Sequence, residues 1–362
     1  MLKARRRVRA AVVLFSCVVV LLGLGLSMTW AHRTTGSVRL QRFSQSLPVS
    51  RPAASGLSAS DAMGREPIVP LSARLALEPS LDPRKVALGN RLFHETQLSG
   101  NNQISCASCH KQDSGGADGR PLSLGFEGQL SVLNAPTVWN SSLNFRQFWD
   151  GRVATLEEQV DEPLLNPKEM NTSWEAIVSN LNQNDDYVRT FRQLYPTGIQ
   201  PASIRDAIAT YERTLVTPNA RFDQYLQGDK TAITAEEKAG YQRFKDYGCV
   251  ACHHGANVGG NMFQRLGVME DFFLARGNVQ AADMGRMNLS GRPRDRYVFK
   301  VPSLRNVALT APYLHDGSVE TLEEAIAIMG QYQLGREIPP DDVTLLVKFL
   351  RTLTGELTRT AL

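Results

Sequence analysis

Two short units in this 362-residue chain carry the same chemistry: Cys106-Ala107-Ser108-Cys109-His110 and Cys249-Val250-Ala251-Cys252-His253. Two thiols at this spacing can add to the vinyl groups of a haem, and the adjacent imidazole then coordinates the iron from one side. The spacing therefore predicts two covalently attached haem c groups, with His110 and His253 as proximal iron ligands. Four cysteines in an exported chain could instead form two disulfides or a zinc site. Neither of those, nor a dithiol redox pair, explains a His after the second Cys in both units. The fifth cysteine, Cys17, lies in an apolar run near the N-terminus and reads as a membrane or signal residue.

The far side of each iron decides what its haem can do. An iron with two protein ligands carries electrons, whereas one with an open position binds a small oxidant. The remaining histidines are His32, His94, His254 and His315, and the methionines include Met262, Met269, Met284, Met287 and Met329. Spacing does not choose among them, because a Met at helical spacing is ordinarily core.

Helices must hold these groups. Asp82-Pro83 predicts an N-cap followed by Pro at the first helical position, with Val86, Leu88, Leu92 and Phe93 as the apolar face. Leu88-Gly89-Asn90-Arg91-Leu92-Phe93 precedes the first haem unit, and Ala239-Gly240-Tyr241-Gln242-Arg243-Phe244 precedes the second. Gly and Phe share an offset in both, a weak internal repeat that suggests two related domains. Thr155, Ser173 and Thr321 open further helices, Thr234-Ala235-Glu236-Glu237 reads as a capping box, and Pro339-Pro340-Asp341-Asp342 opens a last helix through Leu353. Gly, Pro, Asn and Asp cluster over 111–150 and 255–312, which predicts long loops. The expected fold is mainly α, with two cytochrome c-like haem domains at 73–229 and 230–362.

Ahead of them, residues 32–72 are rich in Ser, Pro, Arg and Ala and read as a flexible linker. Residues 1–31 hold five positive charges (Lys3, Arg5, Arg6, Arg7, Arg9) and then an uncharged stretch from Ala10 to Trp30. That stretch is a signal peptide, cleaved after Thr29-Trp30-Ala31, or an inner-membrane anchor; both stand open. Either way the positive flank stays in the cytoplasm and the body is placed in the periplasm. The net charge of +4 becomes 4 − 5 = −1 without this segment, so the body has no basic excess for nucleic acid.

Longer stretches resemble the bacterial di-haem cytochrome c peroxidase family, which includes the MauG-type enzymes. They are Asn134-Ala135-Pro136-Thr137, Gln147-Phe148-Trp149-Asp150-Gly151-Arg152, Leu156-Glu157-Glu158-Gln159 and Pro167-Lys168-Glu169-Met170. Near the C-terminus they are Phe299-Lys300-Val301-Pro302-Ser303-Leu304-Arg305-Asn306 and Thr310-Ala311-Pro312-Tyr313-Leu314-His315-Asp316-Gly317. The resemblance covers about Ala87 to Leu353. It implies that the N-terminal haem reacts with peroxide and that the C-terminal haem is the electron entry site. The entry haem's distal ligand lies fourteen residues after the His of His-Asp-Gly, which is Met329 here; the MauG-type enzymes carry a tyrosine there. Gln159 and Glu169 match polar residues over the peroxide-reactive haem, where a carboxylate can move the peroxide proton. Trp149 matches a residue between the haems. Asn134, Thr310 and Pro312 match a calcium site between the domains.

One position departs from the family. Many members hold the N-terminal iron closed with a distal His eight residues before the position of Asn134, and that residue is Phe126 here. No His occurs between Lys111 and Gly248. The expectation is an N-terminal haem already open when oxidised, with no reductive activation; Glu127 beside it is the one alternative oxygen ligand. The leading reading is a peroxidase that reduces hydrogen peroxide with electrons from a small cytochrome c, a cupredoxin or a quinol. The alternatives are a MauG-like oxidase that modifies a protein partner, or a plain di-haem electron carrier. The family is commonly homodimeric.

Overall fold

In a computed structural model of the chain, residues 66–76 and 80–357 are described. The expected signal or anchor segment and most of the expected linker lie outside them. Among the described residues no helix is long and apolar enough to cross a membrane.

Helices begin where local chemistry places them. The Asp82 carboxylate accepts the Arg84 amide, and Pro83 opens the Pro83–Phe93 helix. Reciprocal capping boxes start Leu156–Gln159 (Thr155 with Glu158), Ala235–Asp246 (Thr234 with Glu237) and Leu322–Ile328 (Thr321 with Glu324). The only strands among the described residues are Phe263–Arg265 and Val298–Lys300, paired antiparallel with Phe263 opposite Lys300. The architecture is mainly α, with long loops stiffened by short helical turns.

Two helix pairs anchor two cores. Pro83–Phe93 crosses Pro201–Glu212, and Ala235–Asp246 crosses Pro340–Arg351. The repeated glycines sit at these crossings. A Cβ on Gly89 would lie 1.9 Å from the Ala207 carbonyl oxygen, and one on Gly240 would lie 2.0 Å from that of Leu345. The backbones are therefore closer than any side chain permits, which explains the Gly of the repeat. Phe93 and Phe244, one turn on, are buried in the two cores. Gly89→Ala or Gly240→Ala is expected to destabilise by about 1–3 kcal/mol through overpacking, despite the better helix propensity of Ala. Urea unfolding of each variant measures this, and a gain in stability would refute the crossing argument.

The first core gathers residues such as Leu92, Phe191 and Ile208, and the second gathers Tyr241, Leu346 and Phe349. Chain segments join these cores differently from the sequence expectation. Ile68 and Leu71, assigned to the linker, are fully buried, and Leu71–Leu75 is helical. The Leu71 amide donates to Asp223 Oδ1 at 3.2 Å, which docks this segment. Phe222, on the helix Arg221–Leu226, belongs to the second core although it precedes the expected boundary at 229. A six-residue helix is too short for its periodicity to be read from sequence.

A second, longer repeat becomes plain in the structure. Residues 134–158 recur as 300–324 at a constant spacing (300 − 134 = 166), from Asn134-Ala135-Pro136 and Lys300-Val301-Pro302 to Thr155-Leu156-Glu157-Glu158 and Thr321-Leu322-Glu323-Glu324. The conformations match. Phe148 and Leu314 take left-handed φ of 67° and 68°, Asn140 and Asn306 take 61° and 60°, and the bridges Gln147–Val153 and Tyr313–Val319 close equivalent loops. The two copies interlock. The Asn134 amide donates to the His315 carbonyl at 2.8 Å, and the Lys300 amide donates to that of Trp149 at 2.7 Å. Asn140 and Asn306 both donate to Thr217 Oγ1 at 2.8 Å. The junction is thus a pseudo-twofold, with Trp149 and His315 in equivalent places.

Candidate functional site

Two cavities flank this junction. One, of about 540 Å³, is lined by Cys106, Cys109 and His110, and also by Gln159 and Glu169. The other, of about 290 Å³, is lined by Cys249, Cys252, His253 and Met329. Asn134, Trp149 and Lys300 line both and form part of the wall between them.

The residues fit a haem in each cavity. The four cysteines of the two units form no disulfide. Burial pushes the Cys106 thiol up to about 12 and that of Cys249 up to about 11. Burial lowers His110 and takes His253 down to about 4, which keeps both imidazoles neutral, the form that binds metal. His110 Nδ1 lies 3.1 Å from the Gly116 carbonyl oxygen, which orients the ring and leaves Nε2 for a metal.

In the first cavity, His110 is the only histidine among the described lining residues. Gln159 closes the capped Leu156–Gln159 turn. Glu169 sits on a turn held by Asn166, whose carbonyl accepts the Glu169 amide at 3.0 Å. Asn166 Nδ2 donates to Glu169 Oε1 at 2.7 Å, which leaves Oε2 as the oxygen free to exchange a proton. Burial raises the Glu169 carboxyl above its ordinary range, and nearby Arg152, itself paired with Asp150 and Glu162, opposes the shift.

Phe126 is not among the residues lining that cavity. Its amide donates to the Glu169 carbonyl at 2.7 Å, and its ring lies against Gly100. The preceding Gly125 presses on the same turn: a Cβ there would come within 2.0 Å of the Lys168 carbonyl oxygen. Glu127 is exposed and does not line the cavity either. The loop is therefore clipped against the Glu169 turn, with Gly125 at the cavity and Phe126 and Glu127 off it.

In the second cavity, Met329 is the only methionine among the described lining residues; Met262, Met269, Met284 and Met287 are absent from it. Met329 opens a π-helical turn, Met329–Gln333, straight after the helix Leu322–Ile328. Such turns re-aim side chains and are frequent at functional sites. Thr310 and Pro312 line this cavity together with Asn134, whose Nδ2 donates to the Arg120 carbonyl at 2.9 Å.

Trp149 is fixed in the wall: its Nε1–H donates to the Asn134 carbonyl at 2.9 Å, and its ring meets His315 edge-on at 6.5 Å. His315 is buried, with Nε2 2.7 Å from Asp283 Oδ1. Asp283, His315 and Asp316 bring potential ligand atoms together, but the Arg276 guanidinium pairs with both carboxylates. This is a closed ion-pair network that holds the wall.

Sequence reasoning missed three features here: the His315 network, Lys300 and Glu212. Glu212 is buried beside Cys106 in the first cavity, its Oε2 has no hydrogen-bond partner, and burial pushes it up to about 8. The available signal was helical spacing, because Ile204, Ile208 and Glu212 share one face of Pro201–Glu212.

Residues 83–231 match the family model described as di-haem cytochrome c peroxidase. The chain is 47% identical over 294 residues to cytochrome c peroxidase Ccp of Escherichia coli, which covers 81% of this chain and 62% of that protein. It is 43% identical over 292 residues to the cytochrome c551 peroxidase of Nitrosomonas europaea, covering 80% of this chain and 85% of the relative. Among solved structures, it is similar to a MauG-like protein associated with microbial copper homeostasis. That match has a TM-score of 0.69 and 30% identity, covering 86% of this chain and 96% of the other.

Proposed function

The chain belongs to the di-haem cytochrome c peroxidase family, and from that premise we propose that it reduces hydrogen peroxide to water with two electrons from an external donor. The observation that carries this reading is the first cavity, where Glu169 and Gln159 share a space with a single histidine. When bound, the two haems supply an iron for peroxide and a store for electrons.

The chain's own residues do the rest. His110 and the thiols of Cys106 and Cys109 hold one haem; His253, Cys249, Cys252 and Met329 hold the other. Glu169 Oε2 takes a proton from the near oxygen of peroxide and returns it to the far oxygen as the O–O bond breaks, so the first water leaves neutral. Overall, two electrons and two protons balance the conversion of one hydrogen peroxide to two waters. Gln159 orients the peroxide. Trp149, fixed in the wall by Asn134, shortens the electron path between the cavities. A thioether from Met329 favours reduced iron and makes the second cavity the port for electrons. Met329 also speaks against the protein-modifying alternative, whose relatives carry a tyrosine at that position.

Asn134, Thr310 and Pro312 offer hard oxygen donors to a calcium ion at the junction. The donor is a small cytochrome c, a cupredoxin or a quinol, and the site of action is the periplasm.

The clipped Phe126 loop supports an N-terminal haem open in the oxidised enzyme. The protein as isolated is expected to give a high-spin haem signal in electron paramagnetic resonance and to react with peroxide in a stopped flow without prior reduction. Two low-spin, six-coordinate haems would end that part of the reading. Steady peroxide consumption with reduced cytochrome c and no protein substrate tests the activity itself.

A further inference from the structure

The wall between the cavities holds a cation without an anion. Lys300 is 7% exposed, and among the described residues burial alone acts on its ammonium, with no carboxylate paired to it. Its strand is pinned on both sides, by pairing with Phe263 and by the Lys300 amide donating to the Trp149 carbonyl. Its side chain lines both cavities. In the pseudo-twofold its counterpart is the neutral Asn134, so only one copy of the repeat brings a charge to the wall. An ammonium held away from bulk water is disfavoured unless an anion or water in the space it faces compensates it. An anion brought into the space it faces would complete it.

Each haem c carries two propionate carboxylates at one edge, and the rest of its face is apolar. We propose that Lys300 is the counter-charge for the propionates that the haems bring to their shared wall, and that it positions them beside Trp149. This rests on the reading of both cavities as haem sites. Burial brings the ammonium down only to about 8, so it remains largely charged at neutral pH. A fixed positive charge near a haem stabilises the added electron, so Lys300 also raises the potential of the haem it serves.

The test is spectroelectrochemical titration of the haem-loaded protein, wild type against Lys300→Met and Lys300→Arg. Two haems per wild-type chain by the pyridine haemochrome assay establishes the underlying reading independently. In Lys300→Met the reduction equilibrium of at least one haem is expected to weaken by about tenfold, equal to about 59 mV for one electron. Lys300→Arg should retain the wild-type potentials. A change below about threefold in both haems of Lys300→Met, or an Arg variant that behaves like Met, overturns the proposal. If the Met variant loads fewer than two haems, the redox-difference infrared spectrum of Lys300→Arg replaces it. Propionate carboxylate bands that shift from the wild type support the pairing, and unchanged bands overturn it.

Discussion

Glu169→Gln is expected to lower kcat/KM for peroxide by about 10²–10⁴-fold, the usual contribution of a positioned proton-transfer group. The amide keeps the size of the side chain and can still meet Asn166, so the fold and haem content should be unchanged. What it loses is the oxygen that accepts and returns the proton. The pH profile gives the sign. Burial raises the Glu169 carboxyl above its ordinary range, and only the carboxylate can accept a proton. Wild-type kcat/KM should therefore rise with pH through that raised value, and this limb should vanish in the Gln variant. Steady-state rates with a reduced cytochrome as donor measure both effects. A Gln variant within about threefold of wild type would remove Glu169 from the chemistry.

Asp223→Ala should destabilise the protein by about 3–5 kcal/mol, because it strands a buried charge. The Arg305 side chain is 0% exposed and that of Asp223 is 2%, with paired contacts of 2.7 and 2.8 Å. The guanidinium also donates to the carbonyls of Ala256 and Val69, while Asp223 receives the Leu71 amide. One ion pair thus ties together the N-terminal segment, the loop after His253 and the second copy of the long repeat. Replacing both partners, Asp223→Leu with Arg305→Met, should cost far less than the single change, since no charge is then left unpaired. Urea unfolding of the haem-loaded proteins decides it. A single variant within about 1 kcal/mol of wild type would mean that water reaches Arg305.

What was legible in the sequence follows from how local each feature is. Two thiols and an imidazole in one helical turn are set by covalent spacing, so the haem-binding units could be read directly. Caps at Asp82, Thr155, Thr234 and Thr321 involve partners two or three residues away and were equally readable. The weak repeat was visible too, but only the helix crossings explain why Gly89 and Gly240 must be glycine.

The wall between the cavities is another matter. Asn134 meets His315, and Lys300 meets Trp149, through hydrogen bonds between residues more than a hundred positions apart, and no periodicity encodes those. Resemblance named Trp149 and Asn134 but passed over Lys300, because a lysine in a three-residue strand reads as solvent-facing until its surroundings are known. The same holds for Ile68 and Leu71, which look like linker until Asp223 and the second core enclose them. Sequence by itself determined that two haem-binding units exist and where their helices begin, because those depend on contacts within a turn or two. Only the tertiary structure decided that Phe126 is clipped outside the first cavity, that Met329 is the methionine lining the second, and that one buried ammonium stands between them. Those outcomes depend on which distant backbones pack together and exclude water.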